Sequence, residues 1–582
     1  MQDLTKKFSN AHISQMFKEI ASAYQILGKS FFRTRAYQNA SSIIGSLSSD
    51  VKSLWEESGL DSIQGLGDTT KSYLDEYFRT GHIVHFDTVK SQMPPGMFVL
   101  LDIPGIGPKT AYRLSKELGI TSREDLIKAC KQEAVANLTG FGEKSQSDIL
   151  KSAQTPRVKK DRTLLNVAED IALSYQKFIL EDPNTVSCDF LGSLRRKAST
   201  VGDIDFSVAT TNPVAVINKF VLYPQVEQVE DKGDKKASVI LKTGQRVDLM
   251  TGDPASYGAL LAHLTGSKLH NIALRTYAQT KGLSISEYGI KDQTDVLKTF
   301  PSEELFYKYL GLDFIPPELR EDRGEIDYAK AKPLPKLIDQ PDMRGDLQMH
   351  STYSDGANTI AEMAQKGFKL EYEYLGITDH SLSLNTKTKQ EILSIIKAQK
   401  HEIAQLKYSK DDFKVLLGTE CNILSNGELS LSDEILQEYD YAIASIHTGF
   451  DQSKEQITQR LINAIINPSI NFIAHPTGRV LLERDPYDVD WRKIFNYCIQ
   501  YNKPLEINAF PSRLDLPDDL VKIAKDMGVK FVINTDAHST VHLDYMKYGV
   551  YVARRGWCTK EEILNTLSLK GLVKILKIRN QD

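Results

Sequence analysis

The chain has 582 residues, 41% of them hydrophobic and 25% charged, with a formal net charge of -4. That length supports several domains, each with a core of its own, and the composition excludes a disordered or low-complexity chain. Residues 1–340 are close to neutral, so no polybasic tail advertises nucleic acid, and any such binding must come from placed cations and backbone geometry.

No apolar run reaches the ~20 residues of a membrane-spanning helix. The opening MQDLTKKFSN lacks the apolar stretch of a secretory signal. Cys130, Cys188, Cys421, Cys498 and Cys558 are scattered, with no C-x-x-C. These features lead to the expectation of a cytoplasmic protein with reduced thiols and no membrane partner.

Residues 1–85 read as helices, with apolar positions at helical spacing through HISQMFKEIASAYQIL. Arg33, Arg35 and Tyr37 follow in FFRTRAYQNASSI. They suit either a clasp for a DNA phosphate or a solvated face with one packed tyrosine. Three glycine turns come next, at Gly65 and Gly67, at Gly105 and Gly107 (with Lys109), and at Gly140 and Gly142. Each has the form apolar–x–Gly–apolar–Gly before a helical stretch. Amides exposed at such a helix start can hold a backbone phosphate without reading bases. Three copies in series point to sequence-independent DNA binding by helix-hairpin-helix motifs.

After QTPRVKKDR the pattern becomes mixed. The run GSLRRKASTVGDIDF places Gly192 and Ser193 where a strand turns into a helix, then Arg195 and Arg196, which can grip phosphate in a fork. Asp203 and Asp205 sit one residue apart on a predicted strand, so alternation puts both carboxylates on one face. RVDLM supplies Asp248 between apolar neighbours. Three hard oxygen ligands suit magnesium or manganese bound with a substrate's phosphates. A T-G-S turn at Thr265, Gly266 and Ser267 then precedes a helix with His270, Asn271 and Arg275.

Residues 319–342 are charged and proline-bearing, without a sustained period, and read as a linker. Beyond them YLGITDH, KVLLGTE, YAIASIH, INFIAHP, PLEINAF and KFVINTD alternate with helical stretches, which predicts a β/α barrel with its site at the strand C-termini. His350, Asp355, His380, Glu420, His447, His475, Asp536 and His538 fall at those ends. Mixed imidazole and carboxylate suits zinc, manganese or iron. Arg479 and Arg513 are either phosphate clamps or structural ion pairs.

The three hairpins with GSLRR, VGDIDF, RVDLM, TGSKLHN and LGLDFIPPELRE resemble the bacterial family X DNA polymerases, and the distal half resembles their PHP domain. The resemblance implies a multidomain α+β chain: a lyase-like helical domain (1–85), fingers (86–157), a nucleotidyltransferase palm (158–258), a thumb (259–318), the linker and a distorted seven-stranded PHP barrel (343–582). It implies that Asp203, Asp205 and Asp248 hold Mg2+ or Mn2+, and that Gly192, Ser193, Arg196, Gly202 and the T-G-S turn hold a dNTP. Asn271 and Arg275 would face the base pair and template. The barrel would hold a Mn2+ or Zn2+ cluster of up to three ions with 3′-5′ exonuclease activity and, in some members, cleavage at abasic sites. The expected partners are gapped or primer–template DNA, bound by a monomer.

The chain departs from the pattern at several places. His263-Leu264 replaces an aromatic pair tied to ribonucleotide exclusion, and Lys197 replaces a glycine. Tyr73 occupies the place of the Schiff-base lysine, with Lys71 two residues earlier, so little or no lyase activity is expected. Gln348 stands where the PHP pattern has a histidine. The competing expectations are a DNA-binding nuclease with weak synthesis and a histidinol-phosphatase-type phosphoesterase.

Overall fold

The computed structural model describes residues 10–46, 51–56, 60, 66–101, 103, 106–154, 162–331, 333–381, 387–408 and 413–579. The described residues fall into two compact units. One comprises Met1–Thr163, Val167–Asp189 and Gly202–Thr251, the other Leu164–Asn166, Phe190–Val201 and Gly252–Asp582.

In the first unit, helices Asn10–Ile26 and Phe31–Ser46 bury facing apolar stripes. Thr34, Tyr37, Ala40 and Ile44 share the buried side of the second helix, at the spacing of one helical face. Tyr37 is therefore a core residue, edge-on to Tyr24 at 5.1 Å and to Phe86 at 5.7 Å. It takes no part in a surface clasp, whereas Arg33 and Arg35 are exposed.

Gly65 and Gly105 lie outside the described residues. Gly67 and Gly107 each cap a helix, Asp68–Thr80 and Pro108–Leu118, without a side chain to satisfy the first-turn amides. Gly142 precedes Glu143–Gln154 in the same way. At all three a Cβ would meet no described residue within 4 Å. Gly140 differs, since its φ of +83° is the left-handed conformation that favours glycine.

A five-stranded sheet follows, in the order Ser187–Phe190, Ile204–Ala209, Arg246–Gly252, Lys236–Leu241, Val226–Lys232. Val247, Leu249 and Thr251 turn to the buried face, so Asp248 turns to the other. Tyr175 stacks on Phe220 at 4.9 Å and donates to its carbonyl at 2.6 Å, holding the flanking helices together beside Phe206.

The second unit contains a helical core around Leu274, Phe306, Tyr307 and Leu310, and a sheet of seven parallel strands in sequence order. The strands are Gly345–Asp346, Tyr374–Ile377, Lys414–Asn422, Tyr441–Ser445, Phe472–Ile473, Leu505–Asn508 and Phe531–Asn534. Beyond their ends the first and last strands meet: Met349 bridges Ala537, and His350 N–H donates to the Ala537 carbonyl at 2.7 Å. The sheet is thus a nearly closed barrel.

The 319–342 segment is not a free linker. It forms helix Glu325–Ala331, and Arg320, Glu325 and Ile338 are completely buried. Its buried carboxylate is paired inside: Glu325 accepts from His270 at 2.7 Å and from the amides of Asp322 and Arg323. Ile326, Ala329 and Leu337 supply the apolar face that high charge density masked in the sequence.

Candidate metal centres

The first unit brings Asp205 and Asp248 together on neighbouring strands, with Asp203 just before the strand that carries Asp205. Burial pushes the Asp205 carboxyl up to about 6, and the charges of Asp248 and Asp203 add to the rise. Arg246 offsets part of it, with Nε 3.1 and 3.2 Å from the two oxygens of Asp248. A carboxyl that burial and two neighbouring carboxylates keep from ionising is one that a divalent cation relieves, so the residues fit the hard ion that the sequence implies. Gly202, next in line, accepts from Gln245 Nε2 at 2.7 Å.

In the second unit, the short helix Gly192–Arg195 carries the arginine pair to the T-G-S turn. Gly192 takes a φ of +55° at the strand-to-helix corner, with Ser193 beside it. Arg195 donates to Thr265 Oγ1 at 2.5 Å and to Glu303 Oε2 at 2.6 Å, while Arg320 holds Glu303 from the other side at 2.6 Å. Arg196 donates to the Thr265 carbonyl at 2.6 Å and to Glu321 Oε1 at 3.0 Å, and a Cβ on Gly266 would come within 3.3 Å of Arg196 Nη1. Ser267 caps the next helix through His270 N. Asn271 donates to the His263 carbonyl at 2.7 Å, and Arg275 lies 3.3 Å from His263 Nδ1. Burial, with the charge of Arg275, lowers the His263 pKa, so a neutral imidazole accepts from the guanidinium.

The barrel gathers all eight predicted donors. Glu420 is completely buried among His475 at 2.7 Å, His380 and His447 at 3.3 Å, and His350 at 3.4 Å. Asp355 faces His538 at 3.5 Å and His380 at 3.6 Å, and Asp536 faces His350 at 3.0 Å. Three sets of donors lie within 4.8 Å of one another: His350, Asp355, His380 and His538; His380, Glu420 and His447; His350, Glu420 and Asp536. Adjacent groups orient the rings, since His447 Nδ1 meets Asn422 Oδ1 at 2.6 Å and His538 Nδ1 meets the Asp536 carbonyl at 2.7 Å.

Burial opposes charge in this cluster, and at Glu420, Asp355 and His380 it loses. It would raise Glu420 and Asp355, but the surrounding imidazoles hold both well below the carboxylate range. It would lower His380, yet Asp355 and Glu420 bring that pKa to about 9. Protons here hold the places that cations would take. His350 Nδ1, Glu420 Oε2 and His475 Nδ1 are buried without a hydrogen-bond partner, which fits donors left for a metal. His475 and Asp536 adopt positive φ, 65° and 53°, a conformation uncommon outside glycine.

The two candidate clamps separate. Arg479 donates to the carbonyls of Arg513 (2.9 Å) and Leu514 from a half-buried position, which is a structural role. Arg513 points its Nε at Asp536 Oδ2, 3.5 Å away. Lys71 and Tyr73 lie on helix Asp68–Thr80, where Tyr73 stacks on His85 at 5.7 Å. Lys109 is exposed in the first turn after Gly107.

Glu506 was missed by the sequence reading. It is completely buried, and burial with the charges of Asp536 and Glu420 pushes its pKa well above the usual range. Asn534, Asn508 and Gln348 surround it with amide donors. The signal was there: a lone carboxylate inside the otherwise apolar parallel strand PLEINAF.

These features define a metal-dependent enzyme in which a nucleotidyltransferase-like carboxylate sheet is joined to a phosphoesterase-like barrel. Family models match at four places: helix-hairpin-helix domain (8–83), SAM-like helix-hairpin-helix tandem (98–155), DNA polymerase beta thumb (260–321) and PHP domain (346–510). The chain is 38% identical over 572 residues, 97% of its own length and 99% of the relative's, to "DNA polymerase/3'-5' exonuclease PolX" of Bacillus subtilis (strain 168). It therefore belongs to the PolX family, the family X DNA polymerases that carry a PHP domain. It is also 25% identical over 346 residues to DNA polymerase lambda of Rattus norvegicus, covering 54% of this chain and 56% of that one. A "Probable phosphatase" of Thermoanaerobacter sp. (strain X514) is 29% identical over 232 residues, 38% of this chain and 89% of that one. Among the described residues no helix is long and apolar enough to cross a membrane.

Proposed function

We propose that the chain acts as a cytoplasmic monomer that fills short gaps in DNA with dNTPs and trims 3′ ends, with abasic-site cleavage as a further reaction of the barrel. The observation that carries the synthetic half is the grouping of Asp203, Asp205 and Asp248, where burial, with the charges of the other two carboxylates, raises Asp205 to about 6. Those three carboxylates would hold Mg2+ or Mn2+, with Arg246 Nε beside both oxygens of Asp248. Gly192, Ser193, Arg196, Gly202 and the T-G-S turn would take the triphosphate, with Asn271 and Arg275 at the base pair and template. Bound cations lower the charge on the reacting phosphate and activate the attacking hydroxyl.

In the barrel, His350, Asp355, His380, Glu420, His447, His475, Asp536 and His538 would hold up to three Mn2+ or Zn2+ ions. Arg513 would meet the scissile phosphate beside Asp536. The paired glycines at 67, 107 and 142 would admit the DNA backbone to unsatisfied helix amides.

The test uses a labelled one-nucleotide-gapped duplex, with and without dNTP, in magnesium and then manganese. Asp205→Ala should abolish extension and keep trimming, and His380→Ala should do the reverse. Loss of both activities in either variant would overturn the two-centre reading.

A further inference from the structure

We propose that Arg555, on the barrel helix Met546–Arg555, is a positioning residue for Arg196: it keeps Glu321 neutralised, so that Arg196 can leave that carboxylate for an incoming nucleotide. This rests on the reading of Arg196 as a triphosphate grip. It assigns to the barrel a part in nucleotide binding, separate from its own metal cluster.

Arg555 has a side chain only 6% exposed. Its Nη1 donates to the Arg196 carbonyl at 2.7 Å and to Glu321 Oε1 at 3.0 Å, and its Nη2 donates to Asp518 Oδ2 at 3.0 Å. Arg196 Nε reaches the same Glu321 oxygen at 3.0 Å, so two guanidinium groups share one carboxylate oxygen. Arg323 completes the network at Asp518, 2.8 Å away. Beside it, Lys197 Nζ lies 4.6 Å from the centre of the Tyr551 ring, on the same barrel helix.

Charge counting shows what the arrangement permits. Arg196, Arg323 and Arg555 face Glu321 and Asp518, one positive charge in excess. A buried cluster with unbalanced charge is costly unless an anion completes it. When Arg196 turns to a triphosphate, two cations and two anions remain and the network is balanced. Without Arg555, the same move would strand Glu321, which is only 18% exposed, without its nearest cation. The bond from Arg555 to the Arg196 carbonyl fixes the backbone of the turn and leaves the side chain able to exchange partners.

Arg195 is placed differently. Its carboxylate, Glu303, is 4% exposed and already shared with the fully buried Arg320. That network packs the interior and offers no exchange toward the barrel. Arg555 also has a different sequence signal: a basic residue in the last turn of a helix reads as compensation of the helix dipole. Nothing in the sequence connects it to position 196.

The test measures dNTP KM and kcat for single-nucleotide gap filling, together with metal-dependent trimming by the same full-length preparations. Arg555→Gln should raise the dNTP KM by about ten-fold while kcat stays within about two-fold, because Glu321 then holds Arg196 alone. Glu321→Gln should lower KM below the wild-type value. The double variant should follow Glu321→Gln, and Arg555→Lys should restore part of the loss. Trimming should be unchanged throughout, since none of these residues lies in the metal cluster.

A merely structural Arg555 would lower kcat and melting temperature in every variant, with the double variant worst, and that result overturns the proposal. So does an unchanged KM in Glu321→Gln, which decides the matter even if Arg555→Gln does not fold. Arg196→Ala separates the two layers. If it leaves KM unaltered, the triphosphate reading of Arg196 fails. If it raises KM while the other variants do not diverge, only the role of Arg555 fails.

Discussion

With its amide turned so that the nitrogen donates to Glu506 Oε2 at 3.1 Å, Gln348 sets its amide oxygen in the place that lies 3.4 Å from Asp536 Oδ1. Two acceptors side by side in a dry interior call for a cation between them. Glu506 thus aims the amide oxygen into the cluster, where an imidazole would make the stronger ligand for a soft or borderline metal. Gln348→His is expected to lower the manganese concentration for half-maximal trimming by about ten-fold. Calorimetric titration of the metal alone should show the same tightening, and an unchanged curve would remove Gln348 from the ligand set.

The glycines of the hairpin turns make a prediction that separates folding from binding. At Gly107 and Gly142 an added methyl meets no described residue. Gly107→Ala and Gly142→Ala should leave the melting temperature within about 2 °C of wild type. Affinity for gapped duplex, read by fluorescence anisotropy, should fall by about ten-fold if a phosphate backbone approaches these positions. Gly140→Ala should behave oppositely, costing about 1 kcal/mol of stability because alanine resists the left-handed conformation.

Arg479 and Arg513 look equivalent in sequence and should not behave alike. Arg479→Ala removes half-buried bonds to two carbonyls and should destabilise the barrel by about 1–2 kcal/mol in denaturant unfolding. Arg513→Ala should leave unfolding nearly unchanged and reduce trimming by about 100-fold, the scale expected for a charge lost beside a reacting phosphate.

Asp440 makes stability depend on pH. Burial pushes its carboxyl up to about 6, although the Leu417 amide donates to it at 2.7 Å. Between about pH 4 and pH 6 the folded protein keeps a proton that the unfolded chain has released, so this residue makes stability fall as pH rises through that window. Asp440→Asn should flatten that part of the profile in chemical denaturation. A slope identical to wild type would assign the titration elsewhere.

The barrel was legible because parallel strands buried on both faces are short apolar runs, and histidines and acids punctuate them at the ends where function gathers. Its first strand was not, since Gly345–Asp346 is two residues long and carries no period. Strand geometry led to Asp205 and Asp248, which lie on neighbouring strands, whereas Asp203 falls in the bend before its strand rather than on it. Pairing of charges was not legible: Glu321 and Arg555 are 234 residues apart, and neither announces its partner. Residues 319–342 looked solvent-borne for the same reason. Tyr37 and Arg479 looked functional because a polar tip at the end of a packed side chain reads, in sequence, like an exposed one.

The seam between the first and last barrel strands has a consequence for handling the protein. Its closing bonds run through Met349, His350 and Ala537, while the side chains of His350 and Asp536 belong to a donor set that could hold a cation. With ions bound there, occupancy and closure would be one equilibrium, and the cluster would work as a clasp on the cylinder as well as a reaction centre. Chelation should raise hydrogen exchange first at the His350 amide, ahead of the central strands, before any global unfolding. A preparation stripped of its ions during purification would be unbuttoned along one edge, and restoring activity would mean refastening that edge as well as refilling the site.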